Sequence, residues 1–438
     1  MSLPHRRDVL KTGLMAGAAL VAPGAEAKPL RAGVVGVGGR GTTLMRVLLD
    51  LGVLVPAVCD IDESRVTRAQ KIVEAKGQPR PEGYTRGETD FRRLCERNDL
   101  DFVLNATPWE WHVPVSVAAM KGGKHVATEV PAAVTVEECW ELVDTSESTG
   151  RQCALLENDC YYRHNLAVLN MFRGGLLGEP LFAEGGYCHD LRTVQYNTVP
   201  HGEPWRLAHS IKRNGNQYPT HPLGPIAWWM DVNRGDRLDF LVSASTRAVA
   251  MQEFAAKTFG ASDPRAKTKF AQGDVNSTLI RTEQGRLISL YFDTSTPRVK
   301  EINMRAQGTK GVYSFQLNQI FVEGRSNRSE GPNWLHSPQW ESTGQYDRDF
   351  EHVLWKKQGE KAATSGHGGG DYMVIYRLVK CLREGLPVDI DVYDAAAWSV
   401  ISPLSEKSVA QRNRSMDIPD FTRGKWKTRP PRDPEAIV

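Results

Sequence analysis

The chain has 438 residues, 24% charged and 40% hydrophobic, with a formal net charge of +3. This length suits two or three domains, each able to bury its own core, and the balance excludes a disordered or membrane-embedded polypeptide. So small a charge lacks the basic excess with which nucleic-acid binders displace counterions, and no nucleic acid is expected as a partner. Seven scattered cysteines with no CxxC pair exclude a dense disulfide framework and a cysteine-rich zinc site. They read as small buried core residues, with one disulfide left open, and no metal is expected.

Residues 1–27 resemble a twin-arginine-type signal. Arg6 and Arg7 precede an apolar run from Val9 to Ala22, and "AEA" at Ala25 to Ala27 offers the small-x-small pattern of a cleavage site. The run is too short and too rich in Gly and Ala for a membrane span. The protein is therefore expected to be exported, to the periplasm or beyond, and to leave the membrane once the signal is removed. The export route carries folded proteins with a cofactor already inside.

Residues 30–158 read as a Rossmann domain with a doubly wound parallel sheet. "LRAGVVGVGGRG" is a buried strand running into Gly36, Gly38 and Gly41, the GxGxxG spacing, with Gly39 and Arg40 inside the loop and an amphipathic helix after it. Glycines allow the tight turn and the close approach of a diphosphate to the helix N-terminus. A second strand ends in Asp60, nineteen positions after Gly41, where a carboxylate binds ribose hydroxyls and repels a 2′-phosphate. The expected cofactor is NAD. "LDFVLNATP" is a third strand, followed by the loop Trp109, Glu110, Trp111, His112 and a helix ending at Gly122. A further strand leads to Glu129 and Val130, a helix closes at Gly150, and "RQCALLEND" ends in Glu157 and Asn158. Ligands lie over the carboxyl ends of such strands, so these groups gather around one crevice.

Residues 159–410 read as a second α/β domain. Within it Trp228 and Trp229 have helical context and are expected in the core. In "SGHGGGDY", Asp371 is expected to cap the following helix, with an active-site role for His367 as the alternative. Residues 411–438 are polar, broken by prolines and read as an extended tail.

By these motifs the chain resembles the glucose-fructose oxidoreductase and inositol dehydrogenase superfamily, in which a Rossmann domain precedes an α/β domain with an open, mainly antiparallel sheet. Those relatives usually carry Glu-Lys-Pro where this chain has Glu129, Val130 and Pro131, and Asp-x-x-x-His where it has Gln217 and His221. Only the histidine is kept. "ATPWEWH", "GGYCHDLR", "NQYPTHPLGPI", "GHGGGDY" and "DVYDAAAWSVISPLSEKS" are similar to the NAD-dependent glycosidases of glycoside hydrolase family 109, which include α-N-acetylgalactosaminidases. The resemblance implies NAD contacts from Gly39, Arg40, Asp60, Trp109 to His112, Glu129, Val130 and Asn158. It implies substrate contacts from Tyr187, Arg206 and Tyr218, Pro219, Thr220 and His221. It also leads to a tyrosine at a substrate-facing position where this chain has Lys300.

NAD-dependent glycosidases are exceptions to the two-carboxylate rule. Oxidation at sugar carbon 3 acidifies the proton on carbon 2, elimination expels the aglycone, water adds, and the cofactor is restored within the turnover. Such a site needs two acid/base groups and a cofactor that stays bound. His221 is the candidate near the carbon 3 hydroxyl, as a neutral imidazole, and Tyr187 the candidate near carbon 2, with the reverse assignment open. A tyrosine of ordinary pKa, about 10, needs a cationic neighbour, which Arg206, His189 or Lys300 can supply. Glu157 and His189 are further substrate-site candidates. The expected substrate is a carbohydrate with a terminal N-acetylhexosamine, and a homo-oligomer is expected. The competing readings are a periplasmic sugar oxidoreductase with tightly bound cofactor and a sugar-binding or redox-sensing module without turnover.

Overall fold

Short apolar runs ending in turns build the first sheet of the computed structural model, which describes residues 28–199, 202–328, 338–431 and 434. The segment 1–27, where the signal was expected, lies outside the described residues. Among those described, no helix is long and apolar enough to cross a membrane. The strands are β1 (Arg31–Val35), β2 (Leu54–Cys59), β3 (Glu82–Tyr84), β4 (Phe102–Asn105), β5 (His125–Thr128) and β6 (Cys153–Leu155). They pair in parallel in the order β3-β2-β1-β4-β5-β6. Every residue of β4 and β6 is buried, as a strand covered by helices on both faces requires. The crossover helices include Gly39–Asp50, Glu63–Ala75, His112–Lys121 and Val136–Thr149. The last begins with a Thr135–Glu138 capping box and stops at Gly150, whose φ of 65° few other residues adopt. The order reverses between β1 and β4, which opens the ligand crevice at their carboxyl ends.

The second sheet contains β7 (Pro180–Cys188), β8 (Leu238–Ser245), β9 (Asn276–Thr282), β10 (Leu287–Asp293), β11 (Arg305–Gly308), β12 (Gly311–Ser314), β13 (Gln319–Val322), β14 (Glu341–Ser342) and β15 (Met416–Asp417). Its order is β14-β13-β12-β11-β7-β10-β9-β8-β15, antiparallel except where β10 lies beside β7. Strict alternation of buried and exposed residues along β9 marks a sheet with one covered and one open face. The helix Thr220–Trp229 lies on the covered face. There a Cβ on Gly185 of β7 would come within 2.7 Å of Pro222. Trp228 and Trp229 are buried as expected.

The described residues after 411, expected to form an extended tail, instead lie close against the molecule and include a 3-10 turn at Lys425–Lys427. β15 pairs with β8, and Ile418, Phe421 and Trp426 are buried. All seven cysteines are buried and unbridged.

The C-terminal half also returns to the first domain. The N–H of Leu155 donates to the carbonyl of Ile390 at 3.1 Å, and the N–H of Ala132 donates to Ser399 Oγ at 2.9 Å. Near this seam Arg234 donates two hydrogen bonds of 2.9 Å to Asp394, the side chains being 4% and 0% exposed. Asp394→Ala would leave a buried guanidinium with Asp391, at 3.3 Å, as its closest remaining carboxylate among the described residues, and is expected to cost about 3–5 kcal/mol in urea unfolding. Asp50→Ala, which breaks the exposed pair with Lys76, is expected to cost no more than about 1 kcal/mol. Equal losses would contradict this assignment.

Candidate functional site

The carboxyl ends of β1, β2, β4 and β5 form a cradle that fits a dinucleotide. Gly36 has a φ of 82°, and a Cβ there would meet the Ala106 carbonyl oxygen at 2.6 Å. The following helix starts at Gly38 with no side-chain cap, so its first N–H groups are directed at an anion. A Cβ on Gly39 would meet nothing within 4 Å, which leaves the top of the loop open. Asp60 accepts the N–H groups of Val37 and Asp62, each at 3.0 Å, and is thereby fixed just beyond the carboxyl end of β2.

Arg40 reaches across this cradle, with Nε 2.6 Å from Glu129 Oε1 and Nη1 2.7 Å from Asp371 Oδ1. Asn158 donates to the same Asp371 oxygen at 3.1 Å, and His367 Nδ1 lies 2.8 Å from Oδ2. Asp371 therefore does not cap its helix, the role expected from its position. The helix begins at Gly369 without a side-chain cap, and the carboxylate is drawn inward by Arg40. Burial opposes ionisation of Asp371, but His367 and Arg40 overcome it and hold the carboxyl at about 2. Burial likewise works against the Arg40 charge, and Glu129 and Asp371 more than offset it, so its pKa is raised.

The loop after β4 contributes an aromatic wall. Trp109 is buried and stacks on Tyr218, centroids 5.4 Å apart and planes 23° apart, with Trp205 edge-on at 4.9 Å. The Arg206 guanidinium lies over Trp205, Trp109 and Tyr218 at 4.5, 5.0 and 5.2 Å and pairs with Glu203. Trp111 packs against Phe91. His112 is buried, its ring nitrogens 2.6 and 2.8 Å from the carbonyls of Pro131 and Thr107, so it ties two strand-end loops together. Glu110 faces His209 at 3.4 Å. Val130 is buried and brings no ammonium to the site. Gln217 is buried against Gln272.

Pro219 and Thr220 begin the helix that presents His221. Gly224, one turn on, lets the segment that follows β6 approach. A Cβ there would meet both Cys160 Sγ and Glu157 Cγ at 2.8 Å. His221 Nδ1 consequently sits 2.6 Å from Glu157 Oε1 and 3.7 Å from Asp159 Oδ1. Tyr187 packs beside it, 5.6 Å from the His221 ring and 4.7 Å from Tyr218, with His189 edge-on at 6.2 Å. The structure thus brings Glu157, Tyr187, His189, Arg206, Tyr218 and His221 together. It adds Asp159 and His209, which the sequence reading passed over. Three consecutive polar residues after a buried strand, Glu157, Asn158 and Asp159, were the available signal.

Burial disfavours the His221 imidazolium, yet Glu157 and Asp159 outweigh it and push the ring up to about 9. Burial raises the Asp159 carboxyl to about 6, partly offset by His221. The Tyr187 phenol is raised by burial, with Arg206 opposing. At neutral pH His221 is therefore a proton donor, not the neutral imidazole expected from its residue type. Asp159 is ionised, and its buried Oδ2 has no hydrogen-bond partner.

Comparison with known proteins places this geometry among relatives. Residues 161–428 match the glycosyl hydrolase 109 C-terminal domain, and residues 30–156 match the oxidoreductase family NAD-binding Rossmann fold. A glycosyl hydrolase family 109 protein of Solibacter usitatus is 43% identical, with 98% of this chain and 100% of that one covered. Another, from Saccharopolyspora erythraea, is 43% identical over 91% of this chain and 84% of that one. Among solved structures, levoglucosan dehydrogenase in complex with NADH and levoglucosan shares the fold, with a TM-score of 0.65, 18% identity, and 90% and 100% of the two chains covered. So does an inositol dehydrogenase homolog complexed with NADH and myo-inositol from Azotobacter vinelandii, with a TM-score of 0.63, 19% identity, and 89% and 98% covered.

Proposed function

Because the chain belongs to glycosyl hydrolase family 109 and carries a NAD-binding Rossmann domain, we propose that it is a glycosidase releasing terminal α-linked N-acetylgalactosamine by oxidation, elimination, water addition and reduction, with no net redox change. The observation that carries this reading is the proton-bearing set of Glu157, His221, Asp159 and Tyr187 beside the glycine cradle, with valine at position 130. Bound NAD supplies reversible oxidation at sugar carbon 3, and the ketone so formed acidifies the proton on carbon 2.

The chain's own residues divide the proton work. Asp159 accepts the carbon 3 hydroxyl proton at its unpartnered oxygen and gives it back when the ketone is reduced, while His221, oriented by Glu157, protonates the departing glycosidic oxygen and recovers a proton from the water that adds. Tyr187 keeps its phenolic proton at rest; once it has released that proton to solvent beside Arg206, its phenolate takes the proton from carbon 2 and returns one there at the end of the cycle. Arg206, Trp109 and Tyr218 form a wall on which a sugar ring packs and which keeps water away.

A bell-shaped pH profile follows. kcat/KM is expected to rise as Asp159 ionises through about 6 and to fall as His221 loses its proton through about 9. Were His221 the base, the rate would instead climb through the upper value. The function itself is tested by offering the purified protein, with no added NAD, a panel of chromogenic α- and β-glycosides. Release from the N-acetyl-α-galactosaminide is expected. Net oxidation of a free sugar with reduction of a second would establish the sugar oxidoreductase instead.

Two further features belong to the same proposal. The N-terminal segment supports export with the cofactor already seated, and the mature protein should begin near Lys28, whereas an uncut N-terminus recovered from exporting cells contradicts this. Leu279 and Leu287, exposed on the open face of the second sheet, support a homo-oligomer, which a monomer in sedimentation velocity would refute.

A further inference from the structure

Lys300 stands at the mouth of this site. The antiparallel bridge between Cys188 and Glu301, whose backbones exchange hydrogen bonds of 2.8 and 3.2 Å, sets Lys300 across from His189. Side chains so paired emerge on one face, as does Tyr187 two positions earlier. This is the face on which Tyr187 packs beside His221. Lys300 is exposed, and among the described residues no hydrogen bond or ion pair engages its ammonium. Of the nearby carboxylates, Asp190, Glu301 and Glu203 are paired with Arg192, Arg298 and Arg206, while Asp159 feels the charge of Lys300 but makes its ion pair with His221. His189 has a buried Nδ1 with no partner. Its charged form is disfavoured by burial and then by Lys300, so the two groups lie within each other's field.

A sugar that offers only hydroxyls gains little from an ammonium that must shed water to meet it. An anionic group gains a charge-assisted hydrogen bond. We propose that Lys300 and His189 form a subsite for an anionic substituent of the glycoside, a carboxylate or a sulfate ester. The inference rests on the glycosidase reading for the identity of the bond cut, but the charge preference belongs to the pocket itself.

The test uses the full chain as purified and three chromogenic α-glycosides: the neutral N-acetylgalactosaminide, its sulfate ester on the primary hydroxyl, and the corresponding uronide. One charged substrate is expected to exceed the neutral one in kcat/KM by about tenfold or more, and which one does so separates sulfate from carboxylate. Lys300→Met should collapse that ratio to within about twofold, and Lys300→Arg should keep it. A preference for the neutral glycoside, or equal losses on all three in Lys300→Met, would overturn the subsite. Equal losses would mean that Lys300 only balances Asp159. A second readout needs no turnover: quenching of tryptophan fluorescence by galacturonate, sulfated galactose and galactose. Tighter binding of a charged sugar that depends on Lys300, with no glycoside cleaved, would support the subsite and refute the glycosidase reading. Equal binding of all three sugars with cleavage intact would do the reverse.

Discussion

His221→Ala is expected to lower kcat/KM on the cleaved glycoside by about 10²–10⁴-fold, the range a positioned acid or base supplies. The ring is held by a 2.6 Å contact to a fully buried carboxylate, so its loss removes a proton donor fixed in place. Glu157→Gln gives the sharper diagnosis. It keeps the shape of the dyad but withdraws the charge that most strongly raises the ring. The alkaline limb of the pH profile should then move down from about 9 toward the ordinary histidine value of about 6.5. A loss below about threefold in His221→Ala, or an unmoved limb in Glu157→Gln, would make His221 a packing residue.

Gly41→Ala is expected to yield protein without cofactor. A Cβ at this position would lie 1.8 Å from the carbonyl oxygen of Gly36, itself fixed by its close approach to Ala106. Helix and loop must then separate, which spoils the aim of the first N–H groups at the diphosphate. The wild-type protein is expected to carry NAD through purification, visible as excess absorbance at short ultraviolet wavelengths and recoverable after denaturation. The variant should lose that signal and melt at a lower temperature, while circular dichroism retains the helical content. Retention of NAD in Gly41→Ala would contradict the assigned seat of the cofactor.

Much of the first domain was legible because its signals are local. Buried strands, glycine loop, the helix start at Gly39 and Asp60 all lie within one βαβ stretch, where periodicity and turn chemistry act over a few residues. The second sheet was legible only through family resemblance, since β7 pairs with β10 and β11, more than a hundred residues further along the chain.

The misreadings share one cause. Asp371 before a helix looks like a cap, but its partner Arg40 lies 331 positions away. His221 by residue type is a neutral base, but two carboxylates from the end of β6 change its protonation. Asp159 was passed over, because only the fold sets it beside His221 and leaves one of its oxygens without a partner. Local pattern places such groups on elements, and only the fold decides what charge each one meets.

Solvent deuterium tests the central claim most directly. With the purified protein, no added NAD and an N-acetyl-α-galactosaminide in heavy water, the released sugar should carry deuterium on carbon 2, because that proton leaves and returns in every turnover. Released sugar with hydrogen alone at carbon 2 would contradict the elimination route and with it the role given to the bound cofactor.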